Sequence, residues 1–187
     1  DLARRDLRLT KLNRNSLNRP AVRVHNEDAF VFLQRNHERY GVIIVDLPDP
    51  RTNSLAKLYS VEGYRLLARH LSPGGAVTTQ ATSPYFAARV YWSVAASLKE
   101  AGFEVISYHT LVPSFGDWGF HLAATAGSNL DRRYENASFS VPTRFLMREM
   151  LPSMRVFSPD TAPVIAEPNR LDKPVIMKYY SQDWDRW

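Results

Sequence analysis

The order of apolar and polar residues along the chain switches between two periods. Leu2, Leu7, Leu9, Leu12 and Leu17 fall at helical spacing, which predicts an amphipathic helix over residues 1–17 with a buried leucine side. Arg19-Pro20 ends it, because the residue before proline avoids the helical region. Residues 21–25 read as a short strand, and Asp28 as the cap of a helical turn over residues 29–35. Val42-Ile43-Ile44-Val45 is a continuous apolar run, the pattern of a parallel strand buried on both faces. It stops at Asp46-Leu47-Pro48-Asp49-Pro50, where two prolines block both helix and ladder and force a loop.

Beyond that loop the spacing predicts a helix over residues 60–71, closed by Ser72-Pro73-Gly74-Gly75, and a strand over 76–80. The longest helix is expected over residues 84–101, with Gly102 at its C-terminus. Strands over 103–110 and 118–125 flank a turn that contains Pro113 and Gly116. Helical and strand periods that alternate and then finish in a hairpin predict an α/β domain. Its sheet is mostly parallel, with antiparallel strands at one edge. After Gly127 a short helix over 143–150, then five prolines from Pro152 to Pro174 and a short strand at 175–177 describe an irregular tail. A single domain over 1–187 is expected, with sheet and helices in 1–127 and a C-terminal wrap in 128–187.

Composition narrows the class. With 44% hydrophobic and 23% charged residues, the 187-residue chain can bury a core. No run of eighteen apolar residues offers a membrane span. Asp1 leads into an Arg-rich stretch, not an apolar segment, so no secretory signal is expected. Cysteine is absent, which excludes disulfides and thiolate metal sites and fits a cytoplasmic location. The histidines form no i, i+4 pair, so no zinc site is expected. The net charge of +5 is concentrated in the first 23 residues. That arm has two readings, a nucleic-acid contact or a solvated helix face. The second is favoured, because no aromatic residue is interleaved to stack on bases, and no nucleic-acid partner is expected.

In open α/β sheets, ligands bind beyond the carboxyl ends of the strands. Three predicted strand ends carry polar groups: Asp28 and Ala29 after the first, Asp46 and Asp49 after the second, and Gln80 at the third. Two carboxylates at such a rim suit a cationic substrate, a metal ion or general-base work. Capping of the following helix is the structural alternative, strongest for Asp49 because it precedes a proline.

The ordered set of motifs resembles the spermidine synthase (polyamine aminopropyltransferase) family. Val45-Asp46-Leu47-Pro48-Asp49-Pro50 is followed by Leu58-Tyr59-Ser60-Val61-Glu62-Gly63-Tyr64. Then come Leu71-Ser72-Pro73-Gly74-Gly75, Gln80, Gly102-Phe103, Trp118-Gly119-Phe120 and a C-terminal end with Tyr179-Tyr180 and Trp184. The resemblance implies a class I methyltransferase-like (Rossmann-like) sheet. It implies transfer of an aminopropyl group from decarboxylated S-adenosylmethionine to putrescine or a related amine. No permanently bound cofactor is implied. Asp46 then matches the general base, and Asp49 the group that holds an amino end of the polyamine. Leu47, Pro48 and Gln80 line the same pocket. Asp28 and Ala29 match the pair at the adenine end of the co-substrate. Asn53 stands where the family has a second proline and is grouped with the cofactor-binding residues. Tyr59 occupies an aromatic position near the pocket, where core packing is an equal reading.

The resemblance also implies departures. The family's Gly-rich cofactor loop and its ribose-binding acid are absent and expected upstream of Asp1. The chain is therefore expected to be an inactive, N-terminally truncated domain that lacks its first strands. Unpaired strand edges would then lead it to self-associate or to rearrange its first strand, and a homo-oligomer is expected. Pro113 stands where many relatives have tyrosine, and Gly41 where an aspartate is usual. Ser83-Pro84-Tyr85-Phe86-Ala87 resembles the branch tethered to membrane helices, on the cytoplasmic face. Two other readings stay open: an S-adenosylmethionine-dependent methyltransferase, and a non-catalytic domain that keeps the fold.

Overall fold

A computed structural model describes residues 2–185, which fall into two compact units, one up to Phe32 and one from Leu33 onward. In the first unit the predicted single helix is two short ones, α1 (Leu2–Arg5) and α2 (Leu7–Leu12). Asp6 breaks them apart in an extended conformation, and its Oδ1 accepts hydrogen bonds from the backbone N–H groups of Arg8 and Leu9. Arg14 and Asn15 adopt the left-handed conformation and stop α2 before the predicted end. The expected buried leucine side is not formed: Leu2, Leu7 and Leu12 are 75%, 85% and 79% exposed. Helices of four and six residues are too short to present an apolar face. Polar ties hold the unit instead, among them Arg4 Nε to Asn18 Oδ1 at 2.9 Å and Asn13 Nδ2 to the Ala3 carbonyl at 2.7 Å. No strand forms over residues 21–25; Val22 and Val24 are exposed there, so neither face is buried against a partner. The expected cap is present, with Asp28 Oδ1 accepting from Phe30 N and Val31 N at the start of α3 (Ala29–Arg35).

The second unit is built on a four-stranded sheet. β1 (Tyr40–Val45) is followed by α4 (Asn53–Ala56) and α5 (Val61–Arg69), then by β2 (Leu71–Gln80). α6 (Ala88–Glu100), β3 (Phe103–Val112) and β4 (Gly116–Thr125) complete the core in chain order. The strand order is β1-β2-β4-β3. β1 and β2 are parallel, and β4 pairs antiparallel with both β2 and β3. The expected α/β class and C-terminal hairpin are both present. One pairing of the three is parallel, because the hairpin inserts β4 beside β2 and the strand at 21–25 does not form.

Ser72-Pro73-Gly74-Gly75, expected to close a helix, is a bulge inside β2: the register moves from Tyr40↔Leu71 to Val42↔Ala76. Gly75 makes it possible, since a Cβ there would lie 2.9 Å from the Ser72 carbonyl oxygen. β1 is not buried on both faces. Val42 and Ile44 are 66% and 72% exposed, while Val45 on the other side is buried. Helices α5 and α6 contribute Tyr64, Leu67, Val90, Val94 and Leu98 to the core that Val45 and Val77 join.

The tail holds α7 (Leu130–Glu135), α8 (Met150–Ser153) and α9 (Val175–Trp184). The helix expected over 143–150 starts only at Met150, and the strand expected at 175–177 is the first turn of α9. Between them the chain runs along α6, with Trp92 Nε1 donating to the Thr161 carbonyl and Ser93 Oγ to that of Glu167. α9 then docks on α6 and buries Ile176 completely. Its anchor is Asp183, which accepts from the Arg89 backbone N–H at 2.9 Å and from the Arg89 guanidinium at 2.6 and 2.7 Å.

Candidate active site

The loop that leaves β1 carries the two predicted acids. Val45 is the last buried residue of the strand, Asp46 is exposed at its carboxyl end, and Pro50 is buried again. The residues between them form the rim, and their shape is fixed from behind. Tyr59, 1% exposed, donates its hydroxyl hydrogen between the carbonyl oxygens of Leu47 and Pro48, each at 3.2 Å. Gln80 Nε2 donates to the same Leu47 carbonyl at 2.5 Å and to the Tyr59 hydroxyl at 2.8 Å. Gln80 Oε1 accepts from Thr82 N at 2.9 Å and from Trp118 Nε1 at 3.2 Å. The amide thus has both hydrogens and its oxygen engaged within the protein. Thr82 sits at φ 61°, strained for a β-branched residue, and its carbonyl also takes the Gly119 N–H at 2.7 Å. Gly119 is required there: a Cβ would lie 2.3 Å from Cε2 of Tyr91.

Asp46, Leu47, Pro48 and Asp49 form one wall of a cavity of about 650 Å³, a volume typical of small-molecule sites. Phe86, Phe115, Trp118 and Trp184 supply aromatic surface to the same cavity. Phe86 and Trp184 are stacked at 5.6 Å and 12°, and Phe115 lies 5.1 Å from Trp118. A second cavity of about 350 Å³ shares Asp46, Gln80, Phe115 and Trp118 and continues over Thr78, Tyr108 and Phe120. Asp49 is held by α9: the Tyr180 hydroxyl donates to its Oδ2 at 3.1 Å and accepts from Arg51 Nε at 2.9 Å. Burial pushes the ionisation of Tyr59 well above the ordinary phenol range; the Gln80 hydrogen bond opposes this, and the charges of Asp49 and Asp46 add to it. Tyr59 is therefore a neutral donor. Burial also raises Tyr180, helped by the Asp49 charge and opposed by Arg51.

Among the predicted site residues, the structure brings together Asp46, Leu47, Pro48, Asp49 and Gln80 at the cavity, with Tyr59 directly behind the loop. Asn53 is the exposed first residue of α4, whose cap is Thr52 Oγ1. Asp28 and Ala29 belong to the first unit, at the start of α3. Pro113 is exposed in the β3–β4 turn, and the adjacent Ser114 and Phe115 line the cavity. The sequence pattern does not mark Arg51, Phe86, Tyr180 and Trp184 as site residues. Reading residues 175–184 as a helix supplies the missing signal for two of them, since Tyr180 and Trp184 are four apart and share a face.

A rim loop with two acids at the end of a parallel strand borders a cavity of small-molecule size, lined in part by aromatic side chains, on a methyltransferase-like α/β fold. Two solved structures share that fold. Spermidine synthase from Thermotoga maritima aligns with TM-score 0.63 at 14% identity, covering 100% of this chain and 56% of the other. A spermidine synthase in complex with the transition-state analogue AdoDATO aligns with TM-score 0.65, also at 14% identity, covering 100% and 57%. The profile of the spermine/spermidine synthase domain matches residues 1–134, and the chain belongs to this family. Polyamine aminopropyltransferase 2 of Ralstonia nicotianae is 47% identical over 176 residues, covering 94% of this chain and 34% of the relative. Polyamine aminopropyltransferase 1 of Streptomyces coelicolor is 40% identical over 183 residues, covering 98% and 34%. The chain spans about a third of the length of these curated relatives. Among the described residues, no helix is long and apolar enough to cross a membrane.

Proposed function

We propose that this chain carries the amine-activating part of a polyamine aminopropyltransferase. The reaction transfers the aminopropyl group of decarboxylated S-adenosylmethionine to putrescine or a related amine, giving a spermidine-type polyamine and methylthioadenosine. One observation carries the reading: Asp46 and Asp49 line a single cavity together with four aromatic side chains, Phe86, Phe115, Trp118 and Trp184. Carboxylates select a cationic substrate, and aromatic walls take its methylene chain and add cation–π attraction. The names of the relatives and the AdoDATO-bound structural neighbour support an adenosyl co-substrate.

In this reading one amine of the acceptor lies at Asp46 and the other at Asp49. The amine at Asp46 must be neutral, because a protonated amine has no lone pair to attack with. Its nitrogen attacks the carbon beside the sulfonium. The C–N bond forms as the C–S bond breaks, and the bonding electrons leave on sulfur, which becomes neutral. The new secondary amine is left with a surplus proton, and Asp46 takes it as general base. Asp49 fixes the distal ammonium and so orients the attack. Gln80 and Tyr59 act through the loop: they hold the Leu47 and Pro48 carbonyls and with them the two acids. For Asp28, Ala29 and Asn53, the family resemblance is the support for a role toward the adenosyl group. A cytoplasmic location, a homo-oligomer and a membrane tether in the native protein remain expectations of the same reading, to be checked by cell fractionation and light scattering.

The test uses the native gene product that carries this sequence. It is given putrescine with either decarboxylated or intact S-adenosylmethionine. Methylthioadenosine and spermidine are expected only with the decarboxylated form; methyl transfer from the intact form would identify a methyltransferase. Asp46→Asn is expected to lower kcat/KM by about 100-fold or more, the scale of lost general-base catalysis. Unchanged turnover would indicate a domain that keeps the fold without the chemistry.

A further inference from the structure

The larger cavity holds one cationic side chain among its described lining residues, and that residue sits at the Asp49 end. Arg51 Nε donates to the Tyr180 hydroxyl at 2.9 Å, and the same hydroxyl donates to Asp49 Oδ2 at 3.1 Å. The Arg51 guanidinium also lies over the Tyr180 ring, 5.3 Å from its centroid. One hydroxyl group therefore separates a fixed positive charge from the acid that holds the distal amine. Asp46 and Asp49 are the carboxylates among the lining residues, and Arg51 lines the same cavity, linked to Asp49 through the Tyr180 hydroxyl.

We propose, on the basis of the aminopropyl-transfer reading above, that Arg51 is a specificity-determining residue that favours a diamine acceptor over a linear triamine. A diamine has one nitrogen to place at Asp46 and one at Asp49, so both of its charges find a carboxylate. A triamine placed the same way carries a third ammonium beyond Asp49. There it meets the guanidinium and has no further acid. Arginine cannot relieve the repulsion by losing its proton. Rejection by an uncompensated like charge is a common route to specificity. Arg51 is exposed, so the repulsion is partly screened and falls as salt rises.

The inference is tested on the native gene product with decarboxylated S-adenosylmethionine and two acceptors, putrescine and spermidine. The readout is the ratio of their kcat/KM values in the parent, Arg51→Gln and Arg51→Lys, at low and high salt. The parent is expected to favour putrescine, and Arg51→Gln to move the ratio toward spermidine by about tenfold, the scale of a single charge contact. Arg51→Lys is expected to keep the parent's ratio within about threefold, since it keeps the charge. Added salt is expected to narrow the preference in the parent and leave it unmoved in Arg51→Gln. An unmoved ratio in Arg51→Gln, with putrescine still turned over, overturns this inference alone. So does Arg51→Lys behaving like Arg51→Gln, which would assign the effect to stacking on Tyr180. Turnover of neither amine by the parent overturns the transfer reading and this inference with it.

Discussion

The side-chain amide of Gln80 donates a hydrogen bond to the buried hydroxyl of Tyr59 at 2.8 Å, and both groups point onto the carbonyls of the acid-bearing loop. Strand end, buried aromatic and rim loop are thereby one hydrogen-bonded unit. The two proposed catalytic-site acids are set in place from the core outward, by groups that themselves lie beneath the rim.

Tyr59→Phe removes the hydroxyl and leaves the ring. The Leu47 carbonyl keeps its bond from Gln80, while the Pro48 carbonyl loses its hydrogen-bond donor from Tyr59. The expected cost is about 1–2 kcal/mol of stability, measured by urea unfolding. Loosening the loop moves both acids, so kcat/KM is expected to fall by about tenfold to a hundredfold. Tyr59 is a neutral donor with its ionisation raised by burial, so the pH profile of the residual activity should match that of the parent.

Gln80→Ala is expected to be the more damaging change. It removes donors from the Leu47 carbonyl and the Tyr59 hydroxyl, and the acceptor for Thr82 N and Trp118 Nε1. Buried polar groups left without partners cost about 1–3 kcal/mol each, and water entering the space offsets part of this. A loss of about 2–4 kcal/mol is expected in denaturant melts. The strained turn at Thr82 loses a restraint, so faster amide exchange at Thr82 and Gly119 is expected.

The site acids were legible because their signal is local. An apolar run followed by Asp-x-x-Asp-Pro fixes both a strand end and a stiff loop, whatever the rest of the chain does. Two other features depended on packing, and a third on a local cap. The run Val42–Val45 reads the same for a strand covered on one face or on two, and only the exposure of Val42 and Ile44 decides it. Val175-Ile176-Met177 is short enough to be strand or helix. The helix is selected by the burial of Ile176 and by Asn169, whose Oδ1 accepts from Ile176 N. The leucines at the start of the chain follow a helical period that Asp6, by capping α2, interrupts. Tyr180 and Trp184 carry no site signal in the sequence for the second of these reasons.

Asp183→Ala should separate docking of the last helix from the chemistry. Asp183 is 3% exposed and does two things for α6: it caps the Arg89 N–H, which Ala87 cannot do with its own side chain, and it pairs with the Arg89 guanidinium. Removing one partner of a fully buried ion pair costs about 3–5 kcal/mol, and the cost here is smaller because the Arg89 side chain is 27% exposed and keeps its bond to Gln182 Oε1. α9 carries Trp184 into the cavity wall and sets the Tyr180 hydroxyl on Asp49. The expected kinetic result is a KM for the amine raised more than kcat is lowered. Trp fluorescence should report the loosened contact between Trp184 and Phe86.

Acid stability should be governed in part by His121, a residue remote from the proposed chemistry. It is fully buried between β4 and α6. Its Nε2–H donates to the Tyr91 carbonyl at 2.9 Å, and Nδ1 faces the Ser107 hydroxyl at 3.0 Å, the arrangement of a neutral ring. Burial pulls its pKa down from 6.5 to about 3; the Tyr91 carbonyl bond opposes the shift and the charge of Lys99 adds to it. The sign follows directly. Below pH 6.5 the unfolded chain binds a proton at this site and the folded chain does not, until the pH nears 3. Stability from this group is complete above the unfolded pKa and is lost as the pH falls through that window. The loss is on the order of 5 kcal/mol across it. Denaturant melts between pH 7 and pH 4 should show this slope in the parent. His121→Gln, which has no titrating group, should start less stable and lack that part of the slope; an identical pH dependence in both proteins would remove His121 as its source.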